Sequence, residues 1–258
     1  MLSNITPILL TYNEAPNIGR TLEKLSWAKE VVIVDGFSTD ETLSIIARFP
    51  QARVFQRKFD THANQWNFAL KETGIKTEWV LALDADYVLS AELIEELKKL
   101  KPSDDVTGYR GKFIYYIFGK ALRSSVYPPV TVLYRGKNVF YEQDGHTQRI
   151  VLDGKIGSLN SAVQHDDRKP LAQWLAAQDQ YQKLEADKLV NSNWASLKWI
   201  DRMRKMLVII PFAVFFYCFF VKGLVLDGKA GLYYSFQRLI SEVILSLYLL
   251  SHVLKKLY

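Results

Sequence analysis

The chain has 258 residues, 49% of them hydrophobic, with 33 Lys and Arg against 27 Asp and Glu. That length suffices for one large α/β domain or a domain with an appendage, and the apolar content excludes a disordered chain. The formal charge of +6 suits anionic lipid, nucleic acid or nucleotide phosphates, so where it lies matters more than its size.

The first hundred residues alternate simply. "ITPILLTY" reads as a strand, "PNIGRTLEKLSW" as a helix, "EVVIVDG" as a strand and "TDETLSIIARF" as a helix. "ARVFQRK" is then a short strand, "HANQWNFALKET" a helix, "EWVLALDAD" a fourth strand and "SAELIEELKKL" a helix. Near-continuous apolar strands between amphipathic helices predict a mostly parallel sheet covered on both faces, with ligands bound beyond the carboxyl ends of the strands. The order changes after residue 105. "GYRGKFIYYIFGK", "VTVLYRGKNVFYE" and "KIGSLN" read as strands, and the next long helix is "LAQWLAAQDQYQKLEADKLV". Strand-rich sequence after a doubly wound half implies a second lobe that shapes a substrate cleft.

The tail is different. "MLVIIPFAVFFYCFFV" carries no charge, and "LISEVILSLYLLSHVL" follows after "KGLVLDGKAG". These runs fall between the ~20 apolar residues of a membrane span and the ~10 to 14 of a buried or interfacial helix. Pro211 in the first and Glu242 in the second favour shallow insertion. Lys198, Arg202, Arg204 and Lys205 precede the first run, and Lys255 and Lys256 close the second. Both ends are thus expected on the cytoplasmic side, with a helical hairpin dipping into the inner leaflet. The alternative is two buried helices of a soluble core or dimer interface. Cys218, the one cysteine, precludes an intrachain disulfide and fits a reducing compartment. "MLSNITPILLTYNE" lacks the features of a secretory signal, so none is expected.

The fourth strand ends in Asp84 and Asp86. Aspartates also stop strands and open helices, but Ser90 already offers the next N-cap. A D-x-D at a strand end puts both carboxylates on one edge of the pleat, where two hard oxygen donors suit Mg2+ or Mn2+ with waters and phosphate oxygens. "TYNE" ends the first strand and "VDGFSTD" the second, so a parallel sheet brings all three polar tips to one cleft. Ser38 and Glu41 read as a capping box that would account for "STDE" without a ligand, whereas Asp35 precedes that cap.

"LLTYNEAPNIGRTLEKL", "VVIVDGFSTDET", "QWNFAL" and "WVLALDADYVL" together resemble, in order and spacing, the GT-A domain of family 2 glycosyltransferases. The resemblance is closest to bacterial lipopolysaccharide core and related cell-surface glycan sugar transferases. It is specific over roughly the first hundred residues and looser beyond. It implies that Thr11, Tyr12 and Glu14 line a nucleoside pocket and that Asp35 reads the base or ribose. Asp84 would contact the ribose or the metal shell, and Asp86 would hold the metal. The family often carries a second acidic residue where this chain has Gly36, and a basic residue where it has Trp66; Asn67 is expected to be structural.

Inverting transfer needs a cation against the departing diphosphate and a base for the acceptor hydroxyl. In "FYEQDGHTQRI" Asp144, followed by a glycine, is the expected base and Glu142 the second choice, although an Asp beside Gly is also common in turns. In the same stretch are His146 and Arg149, the latter either a phosphate partner or a solvated strand-edge charge. His165 stands where related enzymes carry a histidine that completes the metal or diphosphate site; otherwise it is a polar surface residue. Asp166 and Asp167 read as bystanders.

The expected protein is a metal-dependent, inverting glycosyltransferase using a nucleotide-diphosphate sugar, a UDP-sugar foremost, with Mg2+ or Mn2+. Its acceptor would be a lipid-linked or lipopolysaccharide glycan at the cytoplasmic face of the inner membrane, with membrane lipid as a partner and no nucleic acid. The division expected is 1–105 for the nucleotide-sugar half, 106–190 for the acceptor-side lobe and 191–258 for the membrane-associated tail. Transfer onto polyprenyl phosphate is the first alternative, and a non-catalytic nucleotide-binding membrane scaffold is another. A receiver-type phosphorylation domain would not explain "TYNE" or the tail.

Overall fold

A computed structural model describes residues 1–145, 147–207 and 209–257, so His146 lies outside the described residues. The strands, in chain order, are β1 (Ile5–Thr11), β2 (Val31–Asp35), β3 (Ala52–Gln56), β4 (Trp79–Asp84), β5 (Tyr87–Leu89), β6 (Val106–Gly111) and β7 (Phe113–Ile117). They continue with β8 (Lys120–Ala121), β9 (Val130–Arg135), β10 (Phe140–Asp144), β11 (Thr147–Val151), β12 (Lys155–Ser158) and β13 (Val163–His165). The helices are α1 (Ile18–Glu23), α2 (Thr42–Ile46), α3 (His62–Glu72), α4 (Ala91–Lys99), α5 (Leu171–Asn191), α6 (Trp199–Arg204), α7 (Ile209–Phe216) and α8 (Lys229–Leu257).

The chain forms two compact units. The first comprises 1–116, 127–143 and 147–168. Its main sheet has the order β12-β6-β9-β4-β1-β2-β3, parallel except where β9 runs against β4 and β6. The two-residue period of the strands divides their side chains between two cores. Ile5, Leu9, Ile33, Leu81 and Leu83 pack with Ile18 and Leu22 of α1 and Leu93 and Leu97 of α4. Ile8, Val32, Val34, Val80 and Ala82 pack with Ala63, Trp66 and Ala69 of α3. Both faces are therefore covered, which is why the strands read as continuous apolar runs. A second sheet sets β13 between β5 and β7.

The capping box does not form. Ser38 turns back to Asp35, and Asp40 instead accepts from Thr42 N at 3.0 Å and Thr42 Oγ1 at 2.5 Å ahead of the single turn of α2. Asn67 is structural: its Nδ2 donates to Tyr141 O at 2.9 Å and its Oδ1 accepts from Tyr141 N at 2.8 Å, so α3 pins the β10–β11 hairpin. Asn67→Ala is expected to cost about 1–3 kcal/mol, because a buried backbone donor and acceptor lose their partner together; urea unfolding measures it.

The second unit comprises 117–126, 144–146 and 169–258, including β8. In it α8 begins ten residues before the second apolar run, because Gly231 does not break the helix. A Cβ there would lie 1.9 Å from the Leu224 carbonyl oxygen, so the glycine lets the turn at Leu224–Asp227 rest directly on α8. Pro211 stands in the first turn of α7, where a missing N–H is tolerated, and the helix continues as a π-helical turn over Tyr217–Val221. By length and composition Lys229–Lys255 is able to cross a membrane.

Candidate active site

The parallel register brings three strand ends together. Thr11 lies beside Asp35, and Leu10 beside Asp84. Asp35 is fully enclosed: its carboxylate accepts from Thr11 Oγ1 at 3.2 Å, Ser38 N at 3.0 Å, Ser38 Oγ at 2.5 Å and Gln56 Nε2 at 3.3 Å. In this arrangement it organises the loop after β2, and a ribose would reach it only by displacing one of those donors. That loop is tied to the "TYNE" loop, where Asn13 N donates to Ser38 Oγ at 2.9 Å and Glu14 N to Thr42 Oγ1 at 2.7 Å. Asn13 and Phe37, both with left-handed φ angles of 53° and 64°, make the tight bends. Tyr12 is 58% exposed, and Glu14 accepts from Asn17 Nδ2 at 2.8 Å.

Beyond Asp84, which is half-buried, the chain turns and Asp86 is buried. His165 Nε2 lies 3.1 Å from Asp86 Oδ2, because β13 pairs antiparallel with β5 and sets His165 opposite Tyr87. Rings of Tyr87, Tyr115 and Tyr127 surround the imidazole at centroid distances of 5.1, 4.4 and 5.1 Å. Tyr87 and Tyr127 share a short hydroxyl hydrogen bond, and burial, followed by the field of Asp84, pushes both phenols up, so both stay protonated. Burial works against a charged His165, but Asp86, with Asp84 and Asp167 behind it, outweighs burial and raises the His165 pKa. Among the described residues Nδ1 of His165 is buried without a hydrogen-bond partner.

Asp166 and Asp167 are not bystanders. Asp166 is buried and accepts from Arg20 Nη1 at 2.5 Å and from Arg168 Nη2 at 2.8 Å, while its backbone N donates to Asp86 O at 3.1 Å. Asn17, fully buried, donates to Asp167 Oδ1 at 3.0 Å and accepts from Arg20 Nη2 at 2.9 Å. The start of α1 thus clamps the end of β13 behind the Asp86–His165 pair. The sequence hid this network, since Asn17 and Arg20 look like ordinary helix-start and surface residues.

On the β10–β11 hairpin, Glu142 and Arg149 pair with each other at 2.6 Å, both exposed. Asp144 belongs to the helical unit, where Lys188 Nζ meets it at 2.7 Å. Gly145 beside it has φ 62°, a left-handed conformation that favours glycine.

The donor set suits a hard divalent cation. Among the described residues no group of three or more His, Cys, Asp or Glu is placed to hold a metal ion by itself; Asp84 and Asp86 could offer the one or two carboxylates that Mg2+ or Mn2+ takes alongside waters and phosphate oxygens. His165, expected to complete the metal or diphosphate site, has its Nε2 engaged with Asp86 Oδ2, an arrangement in which it would orient that carboxylate.

The model of glycosyl transferase family 2 matches residues 7–160, which is more than half of the chain and spans the ends of β1, β2 and β4. The chain belongs to glycosyl transferase family 2. Among its relatives, the lipopolysaccharide core biosynthesis glycosyltransferase LpsC of Rhizobium meliloti is 26% identical over 73% of this chain and 72% of its own length. An uncharacterized glycosyltransferase of Rickettsia bellii is 36% identical over 42% of this chain. This family 2 chain matches only 36% of the length of that relative. The crystal structure of S. aureus TarS 1-349 in complex with UDP-GlcNAc shares the GT-A fold at a TM-score of 0.50 and 18% identity, covering 93% of this chain and 81% of TarS 1-349.

Proposed function

We propose that this family 2 glycosyltransferase is metal-dependent and inverting, and moves a sugar from a nucleotide-diphosphate donor, a UDP-sugar foremost, to a lipid-linked or lipopolysaccharide-type glycan at the cytoplasmic face of the membrane. The observation that carries the reading is the pair Asp84 and Asp86 at the carboxyl end of β4, where Asp84 is in register with Leu10 of β1, the residue before Thr11, which in turn lies beside Asp35 of β2. The likeness to LpsC supports the acceptor class. Residues 1–105 would hold the donor, 106–190 would shape the acceptor side, and 191–258 would meet the membrane.

In this reading Asp86 and Asp84 bind Mg2+ or Mn2+, and His165 holds Asp86 in place through Nε2. The cation's contribution is to neutralise charge on the departing diphosphate. Tyr12, Thr11, Glu14 and Asp35 form the nucleoside end, and Arg149 adds a positive charge toward a phosphate. Asp144, oriented by Lys188, takes the proton of the acceptor hydroxyl as its oxygen attacks the anomeric carbon from the face opposite the leaving group, which inverts that centre. Glu142 is the second candidate.

Thermal-shift screening of nucleotide sugars with and without Mn2+ tests the donor half, since a ligand of the native state raises its melting temperature. A metal-dependent shift with one nucleotide sugar is expected, and no shift with any would sink the reading. Asp144→Asn is expected to keep that shift and lower turnover by about 10²- to 10⁴-fold, the range of a lost general base. Normal turnover in Asp144→Asn, with loss in Glu142→Gln, would move the base to Glu142.

A further inference from the structure

From residue 191 onward the chain carries nine Lys and Arg against three Asp and Glu, which equals the whole formal excess of +6. All three acidic residues are buried. Asp201 and Glu242 face Arg204, and Asp227 is held by Arg123. The charge this segment shows to solvent is therefore basic alone.

The same segment exposes large apolar side chains. Along α7 and its π-helical continuation Ile210, Pro211 and Cys218 are buried, while Phe212, Phe216 and Phe220 are 55%, 54% and 57% exposed. Phe216 and Phe220 stack at a ring-centroid distance of 6.0 Å, one helical turn apart. Basic residues sit on aromatic rings at both ends of the apolar run: Lys205 lies 5.6 Å over Trp194, and Lys222 lies 5.7 Å over Tyr217. Exposed aromatic rows flanked by lysines and tryptophans are what an interfacial helix presents to a membrane.

α8 is long enough to cross but is not free to do so. Ser241 bonds Gln182 and Gln178 of α5 at 2.9 Å, Tyr248 donates to Asp179 at 2.7 Å, and His252 meets Asp187 at 3.2 Å. These contacts run along α8 from Ser241 to His252, and α5 carries "QDQYQKLEADK", which hydrocarbon does not accept. A crossing α8 would either leave α5 or drag its charges into lipid.

We propose that the helical unit docks on an anionic bilayer surface, with Phe212, Phe216 and Phe220 among the acyl chains and Lys198, Lys205 and Lys222 among the headgroups, and that it does not span the membrane. Charge selects the occupant. A second copy would bring the same basic surface and repel, whereas an anionic headgroup layer complements it. The docking supplies the contact that a membrane-held acceptor calls for and to that extent rests on the proposed function; lipid binding is measured without turnover, so the two fail separately.

The test floats the purified full-length protein with vesicles of phosphatidylethanolamine and phosphatidylglycerol, and with vesicles of phosphatidylcholine alone. Binding to the anionic vesicles is expected to exceed binding to the neutral ones at least about tenfold, and to fall by about tenfold or more in high salt. The same loss is expected in Lys198→Gln/Lys205→Gln/Lys222→Gln, a surface variant that leaves the buried ion pairs intact, and in Phe216→Ser/Phe220→Ser. Bacterial membranes carrying the protein should release it in alkaline carbonate. Equal binding to both vesicles, unchanged binding in the charge variant, or retention in carbonate-washed membranes would each overturn the proposal. So would a stable dimer that ignores vesicles, which would give the aromatic row to a second copy. Lost vesicle binding with intact metal-dependent nucleotide binding sinks the docking alone, and the reverse result sinks the proposed function alone.

Discussion

Asp86→Ala is expected to remove the metal-dependent part of nucleotide-diphosphate binding and to lower turnover by at least about 10²- to 10³-fold, the scale on which charge stabilisation at a reacting centre is lost. Two effects would act together in this variant. One carboxylate of the D-x-D is gone, and His165 loses the partner at 3.1 Å whose charge raises the pKa of its buried ring against the effect of burial. A buried, newly unpaired group costs about 1–3 kcal/mol of stability, so a loss of binding in Asp86→Ala alone does not separate metal contact from folding. Asp86→Asn separates them, because its amide oxygen still accepts from His165 Nε2 while the negative charge has gone. Calorimetry of UDP binding with and without Mn2+ is expected to show both variants without the metal-dependent increment. Only Asp86→Ala should also unfold earlier in urea. Unchanged Mn2+-dependent affinity in Asp86→Asn would mean that the strand end does not hold the metal.

That strand end was legible in the sequence because every signal there agreed. An apolar run long enough for a buried strand stops at two carboxylates, and parallel pairing then dictates which other strand ends lie beside them. β1, β2 and β4 appear within one or two residues of the stretches that predicted them. What was not legible depends on long-range pairing. β5 and β13 are three residues each, too short for a periodic signal, yet their antiparallel ladder is what carries His165 to Asp86. Close approach was equally hidden: "GKAG" reads as a connection, and only the Leu224 carbonyl against Gly231 reveals why the glycine belongs inside a helix. The capping box failed for a related reason. Ser38 had a stronger partner in Asp35, which lies nearby in sequence but whose need for donors arises from its full burial at the carboxyl end of the interior strand β2.

The second large effect lies in a cluster no motif announced. Asp166→Ala removes a buried carboxylate that partners Arg20 and Arg168. Breaking a fully buried pair costs about 3–5 kcal/mol; Arg20 is 24% exposed at its side chain, and water there should reduce the loss to about 2–3 kcal/mol. Burial, the largest influence on Arg20, already pulls its pKa down against the attraction of Asp166, so the arginine left behind is the strained partner. Arg20→Met is expected to cost less, because Arg168 still holds Asp166 at 2.8 Å. The double variant Arg20→Met/Asp166→Ala should cost less than the two single changes added together, by about 1 kcal/mol or more of coupling. Purely additive urea midpoints would show that the ion pair is incidental. The cluster also reaches the site, since Asp166 N donates to Asp86 O at 3.1 Å and adjoins His165 in sequence. Asp166→Ala keeps that backbone donor but releases Arg20 and Arg168 from the end of β13, so through the placement of His165 it is expected to weaken Mn2+-dependent UDP binding about 10- to 100-fold, even though Asp166 would touch neither metal nor nucleotide.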